Sequence, residues 1–133
     1  MMKALSLRGD YVMDIIRGQK KIEYRSWQTK YRGPILLCST VKKVHGAVPG
    51  YALCVAMIKK IEWNDWDQCY YWHIEPFEKG SSYLIEPIHV KGMQHLFNVD
   101  DQLIKPAPFV KYSPNDAAFC DWWEDKIEPL IYE

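Results

Sequence analysis

The sequence lacks the features that mark membrane-spanning and secreted proteins. Its longest apolar run, Tyr51 to Ile58, is far shorter than the roughly 20 residues that cross a bilayer as a helix. Met1 and Met2 are followed by Lys3 and a strand-like segment, without the apolar core of a signal peptide. We therefore expect no membrane partner and a cytoplasmic location.

Paired cysteine motifs and metal-ligand spacings are also missing. The four cysteines are widely spaced and never form CxxC, which favours reduced, buried thiols over disulfides. The four histidines show neither HxxxH nor HExxH spacing, and no glycine-rich phosphate loop such as GxGxxG occurs. We therefore expect no metal site and no cofactor.

The composition is that of an ordinary globular protein. The chain has 133 residues, of which 48% are hydrophobic and 26% are charged, so it is long enough to bury a core. It contains no internal repeat, low-complexity tract or sign of a domain boundary. The sequence therefore predicts a single domain over residues 1–133.

The net charge is zero, but the charges are unevenly distributed along the chain. Residues 1–45 contain ten lysines and arginines against three acidic residues, and the remaining 88 residues carry the opposite excess of seven. This asymmetry favours one basic face and a phosphate-bearing partner. Alternatively, the two halves interleave in space and their charges cancel.

Alternating polar and apolar residues, separated by turn signals, predict several short strands. The predicted strands are 3–8, 20–25, 35–40, 51–63, 70–74, 83–90 and 93–99, of which 51–63 is either one long strand or a bent pair. Loops are expected at 44–50, 76–82 and 100–112.

Two helices accompany these strands. The first is expected to start with Asp10 as its cap and to end at Gly18. The second is expected to start with Ser113 as N-cap and Pro114 at its first position, and to dock through Phe119 and neighbouring apolar residues. The prediction is an α+β, mainly β protein, built as a small β-barrel with short flanking helices; an open α+β sheet is the alternative.

The segment GQKKIEYRSW, residues 18–27, contains the most informative charge pattern. On a strand, Glu23 and Arg25 share one face, and Tyr24 points the other way into the core. Lys20 follows the turn at Gly18 and is expected on the side of Glu23. Such a group can hold a compact anion or the hydrogen-bonding edge of a base. The alternative is a solvated strand face.

Aromatic and cationic side chains alternate around this segment, a mixture that suits unstacked nucleic acid because rings stack on bases and cations hold phosphates. We expect Trp27 and Tyr31 near the site, together with Arg8 and Arg32.

Gly18, Lys20, Glu23 and Arg25 match the GxKxxExR signature of ASCH domains, a family of the PUA-like superfold. The segments ALSLRGDYV and RSWQTKYRGPILLCST also resemble the family, and the resemblance covers residues 3–99, leaving a loop and a C-terminal helix over 100–133. It implies a compact barrel whose cleft is lined by Lys20, Glu23 and Arg25, with Gly18 in a turn.

The resemblance implies an RNA- or nucleotide-binding module. An enzyme on the same cleft is the alternative: either a ribonuclease, in which Lys20 and Glu23 would be the catalytic candidates, or an amidohydrolase of the N4-acetylcytidine type. Relatives with that amidohydrolase activity carry a threonine nucleophile where this chain has Glu23, which disfavours the activity here. A protein-interaction domain that docks a partner through the Pro-rich 105–114 segment is a weaker alternative.

Overall fold

The fold is described from a computed structural model that covers residues 1–75 and 82–132. In chain order its elements are β1 (Met2–Leu7), α1 (Gly9–Ile16), β2 (Ile22–Arg25), β3 (Gly33–Ser39), β4 (Tyr51–Asn64), β5 (Cys69–Glu75), β6 (Tyr83–His89), β7 (Phe97–Val99), α2 (Ala117–Lys126) and α3 (Glu128–Ile131). The loop predicted at 76–82 lies, except for Ser82, outside the described residues.

The mainly β prediction is confirmed. The described strands form one seven-stranded sheet in the order β2-β5-β4-β3-β1-β7, with β6 pairing to β4 beside this path. The path is open, with β2 and β7 at its ends, so main-chain hydrogen bonds do not close the sheet into a complete barrel. β1 pairs parallel with β3 and antiparallel with β7.

The apolar run of β3 explains why the core has two sides. Ile35 and Leu37 pack into the larger cluster, which contains α1 and α2 residues, whereas Leu36 and Cys38 pack into a second cluster with Ile85 of β6. Successive strand residues point to opposite faces, so an uninterrupted apolar run is the pattern of a strand that is covered on both sides.

β4 is one long strand rather than a bent pair. Its first half pairs with β6 and its second half with β5, and the register slips between Ile58 and Lys60. The extra residue, Lys59, is a β-bulge of the kind that bends a strand and increases its twist. The length of β4, 14 residues, lets this single strand pair with β3, β5 and β6.

The C-terminal helix starts later than the sequence predicts. Asp116, not Ser113, is the N-cap, and its carboxylate accepts hydrogen bonds from the main-chain N–H groups of Ala118 and Phe119. Ser113 instead accepts a main-chain bond from Asp116 in a preceding turn. The expected docking face is confirmed, since Phe119 is 1% exposed and packs in the main core cluster.

The cap predicted for the first helix is also wrong. Asp10 lies inside the first turn of α1, and the preceding Arg8 occupies the cap position without a side-chain capping bond. Among the described residues, no helix is long and apolar enough to span a membrane.

Replacing the true cap should destabilise the protein. We expect Asp116→Ala to lower the free energy of unfolding by about 1 kcal/mol, because two helical N–H groups lose their acceptor. Ser113→Ala is the matched control and should cost less. Urea unfolding midpoints compare the two, and a larger loss in Ser113→Ala would contradict the assigned cap.

The cysteines should differ in reactivity. Cys38 and Cys54 are fully buried; burial raises the pKa of the Cys38 thiol to about 12 and also raises the pKa of Cys54. Cys69 and Cys120 are partly exposed. Because the thiolate is the reactive form, a disulfide reagent should modify the latter two first and the buried pair only upon unfolding. Rapid modification of all four in the folded protein would contradict this assignment.

Candidate functional site

A tight turn after α1 positions Lys20. Gly18 has φ +77, in the left-handed region that favours glycine, and its N–H donates to the Ile15 carbonyl. The next two N–H groups, of Gln19 and Lys20, both donate to the carbonyl of Asp14. The chain thus reverses direction, and the Lys20 side chain reaches the residues of β2.

The inward face of β2 carries charge rather than apolar groups. Glu23 is only 4% exposed and sits opposite the fully buried Trp72 in the β2–β5 register. Tyr24 is 53% exposed, so the expectation that it lies in the core is wrong. Alternation defined the two faces of β2 but not which of them points inward.

Two cations compensate the buried carboxylate. Arg25 Nη2 lies 3.0 Å from Glu23 Oε2, and Lys20 Nζ lies 3.6 Å from Glu23 Oε1. All three side chains are at most 20% exposed. A buried charge is tolerated when it is paired and hydrogen-bonded, which explains how Glu23 can occupy an inward position.

Arg25 also bridges two parts of the sheet. Its Nη2 donates to the Ser6 carbonyl of β1 at 2.6 Å, although β2 and β1 are not neighbouring strands. Ser6 lies beyond the three β1 residues that pair with β7. The side chain of Arg25 therefore spans the gap that main-chain pairing leaves open.

Two buried polar atoms beside this bridge have no partner. They are Arg25 Nε and Ser6 Oγ, and Ser6 as a whole is 8% exposed. Buried polar groups are nearly always hydrogen-bonded, because leaving one unpaired costs about 1–3 kcal/mol. Both residues therefore keep hydrogen-bonding capacity that no described protein group uses.

Tyrosine rings and a further arginine surround Lys20. Lys20 Nζ lies 4.8 Å from the ring centres of both Tyr11 and Tyr24. The guanidinium of Arg8 also lies over the Tyr11 ring, 5.7 Å from its centre, and Arg8 Nε lies 2.9 Å from Asp10 Oδ1. The three motif side chains thus converge on one aromatic and cationic site, together with Arg8.

The site opens into a groove with two compartments that share Ser6, Arg25 and Thr40. The triad compartment has a volume of about 370 Å³ and is further lined by Arg8, Tyr11, Glu23 and Tyr24. The tryptophan compartment is larger, about 700 Å³, and its lining includes Trp27, Val41, Met93, Gln94 and His95. The Arg25–Ser6 bridge lies where the two compartments meet.

Three residues expected at the site, Lys20, Tyr31 and Arg32, line neither compartment. Lys20 contacts Glu23, Tyr11 and Tyr24, which do line the triad compartment, whereas Tyr31 and Arg32 have other partners. Tyr31 is half-buried against the core, its hydroxyl donates to the Pro34 carbonyl, and burial raises its pKa. Arg32 is exposed, and its Nη1 donates to the carbonyls of Thr29 and Tyr31. Both side chains are occupied in shaping the turn before β3.

Several lining residues were missed because they come from distant segments, among them Ser6, Thr40 and His95. Ser6 is on β1, Thr40 follows β3, and His95 lies in the segment before β7. The sequence signals only Ser6, as a polar residue inside an apolar strand. In the parallel β1–β3 register Ser6 pairs with Cys38, and the N–H of Thr40, just after β3, donates to the carbonyl of Leu7, which follows Ser6.

A second charged groove lies on the β4–β5 surface and is lined by Lys21, Lys59, Lys60, His73, Ile74 and Glu75. Its ion pairs involve exposed or half-exposed side chains; the His73–Glu62 contact, for example, is 2.6 Å with Glu62 half exposed. Exposed pairs of this kind contribute little energy. Within residues 1–75 and 82–132, no group of three or more potential metal ligands occurs.

Neutralising Glu23 should be far more costly than neutralising an exposed glutamate. Glu23→Gln leaves the guanidinium of Arg25 largely buried without its counter-charge, and we expect a loss of roughly 3–5 kcal/mol in unfolding free energy. Glu62→Gln is the matched control, since Glu62 also contacts two basic side chains, Lys60 and His73, but is half exposed, and should cost much less. Equal losses by chemical denaturation would contradict the structural role of Glu23.

A protein-family model matches most of the chain. The family model of the ASCH domain matches residues 5–96, which include α1, the Gly18 turn and every lining residue of both compartments named above. None of the curated proteins matches the chain. ASCH domains are PUA-like modules that generally bind RNA, and a match over more than half of the length shows the family. The chain belongs to the ASCH domain family.

Proposed function

We propose that the protein binds RNA or a nucleotide-like ligand in the groove built around Lys20, Glu23 and Arg25. The observation that carries the proposal is the buried Glu23, held between two cations beside an Arg25 Nε–H that lacks a partner. Buried donors are nearly always hydrogen-bonded, so an unpaired donor beside the groove supports a ligand that completes its bonding.

The charge of the site suits a phosphate. Arg8, Lys20 and Arg25 exceed the nearby carboxylates of Asp10 and Glu23 by one positive charge. Arg8 is half exposed, so it can meet a ligand at the mouth of the groove. Glu23 keeps the two inner cations in place, which reduces the side-chain entropy lost when an anion binds.

The rings of the site suit bases. Tyr11 and Tyr24 are 39% and 53% exposed, so each presents an accessible face at the triad compartment. Stacking of a base on an aromatic side chain contributes about 1–3 kcal/mol and requires the base to leave a duplex. Single-stranded RNA is therefore the preferred ligand class.

A hydrolase in the same groove is the alternative. Ser6 Oγ has no hydrogen-bond partner, and no described hydroxyl of the groove is bonded to a carboxylate or an imidazole. Nucleophilic catalysis needs a hydroxyl activated by such a base. The geometry thus favours binding, and turnover is tested alongside it.

The Pro-rich segment gives less support to a protein-interaction role. Ala107 N–H donates to the Leu84 carbonyl, and Leu84 N–H donates to the carbonyl of Val110. The main chain of this segment is already bonded to β6, which leaves fewer groups for an added partner strand.

Removing Lys20 should weaken RNA binding and its salt dependence. With a fluorescent, unstructured RNA oligonucleotide, we expect Lys20→Gln to bind more weakly and to lower the slope of log K against log salt by about 0.7 per lost phosphate contact. Fluorescence anisotropy at several salt concentrations measures both quantities. The same mixtures, resolved on a gel, report cleavage.

Lys126→Gln is the charge-matched control, because Lys126 is an exposed residue of α2 that pairs with Asp125, whereas Lys20 pairs with Glu23 of the triad compartment. Equal weakening in the two variants would show non-specific attraction and count against the groove. If wild type cleaves RNA and Lys20→Gln does not, the result would contradict the binding module and support an enzyme.

A further inference from the structure

The tryptophan compartment has the features of a place for a single flat ring. It has nearly twice the volume of the triad compartment, and Trp27 forms part of its wall. The Trp27 ring is itself braced, edge-on against the buried Trp72 at 4.8 Å, and its indole neighbour Trp72 donates a hydrogen bond to the Trp27 carbonyl. A braced aromatic wall loses little freedom when a ligand packs on it.

The same compartment contains polar atoms that are ready to bond. Ser6 and Arg25 line it, and Ser6 Oγ and Arg25 Nε are two of the three buried side-chain polar atoms without a partner among the described residues. The third, Trp122 Nε1, belongs to a residue of the main core cluster. The Nε–H can only donate, whereas the hydroxyl can donate or accept. Such a combination recognises the ring nitrogens and carbonyl oxygens at the edge of a nucleobase.

The segment before β7 holds this compartment against β1. At Gly92 an added Cβ would lie 2.1 Å from Ser6 Oγ, so only a glycine permits this approach. His95, in the same segment, packs on Trp27 with a ring-centre distance of 4.8 Å. The 92–95 segment therefore sets the position of both the polar atom and the ring wall.

We infer that the tryptophan compartment is a base-binding subsite, an inference that rests on the proposed function of the groove. The groove holds one nucleoside phosphate unit of RNA, with its phosphate in the triad compartment and its base against Trp27. Arg25 lies between the two and serves both, with Nη2 fixed by Glu23 and Ser6 and with Nε directed to the base.

Nucleoside 5′-monophosphates and ribose 5-phosphate test the subsite, because the second carries the same phosphate without a base. We expect UMP or AMP to bind at least about fivefold more tightly than ribose 5-phosphate in calorimetric titrations, the lower limit for stacking on an aromatic side chain. In wild type, the indole N–H resonance of Trp27 should shift with the monophosphates and not with ribose 5-phosphate.

Variants assign the difference to this compartment. Trp27→Leu should abolish the affinity ratio and leave the binding of ribose 5-phosphate unchanged. His95→Ala removes an exposed ring that packs on Trp27, so it should reduce the ratio in a protein that still folds; His45→Ala, also exposed, is its matched control.

The outcomes separate this inference from the proposed function. Equal affinity for monophosphates and ribose 5-phosphate, with Lys20-dependent RNA binding retained, would overturn the base subsite alone. An affinity ratio that neither Trp27→Leu nor His95→Ala changes would overturn it as well. If wild type binds neither RNA, nor the monophosphates, nor ribose 5-phosphate, both proposals are overturned.

Discussion

One guanidinium connects the fold of this protein to its groove. The strand path ends at β2 and at β7, and no main-chain pairing joins β2 to β1. Arg25 spans that gap by contacting the Ser6 carbonyl on one side and Glu23 on the other. An open end in a sheet is normally a liability, because unpaired main-chain groups invite other strands. Here the groove lies at this opening, since both of its compartments are lined by Ser6 of β1 and Arg25 of β2.

The same bridge explains what each charged residue of the site contributes to stability. Glu23 is the counter-ion that allows Arg25 to be largely buried, and Lys20, which follows the Gly18 turn, adds a second cation beside the same carboxylate. The stability of the fold and the proposed binding therefore depend on the same side chains. Active and binding sites often carry such locally costly arrangements, which the surrounding structure must stabilise.

The sequence predicts the strands and the motif well because both depend on local pattern. It fails for Tyr24, since alternation cannot tell which face is inward when a paired carboxylate, Glu23, replaces an apolar residue there. It also fails to place Ser6 and His95 at the site, because these two residues line the same compartment only through long-range contacts of the fold. Ser113 was misassigned because Asp116, three residues later, is an equally good cap and an extra turn precedes the helix.

The position of β1 in the sheet has a consequence for how the chain acquires its structure. β1 is the first strand in the sequence, yet its partners are β3, at Gly33–Ser39, and β7, at Phe97–Val99. During synthesis, the second edge of β1 can pair with β7 only after about a hundred residues have been made. Pairing between residues so far apart in sequence slows folding, because the entropy cost of closing the loop is incurred before the contacts form. The groove, which needs Ser6 beside the 92–95 segment, is thus among the last parts to form.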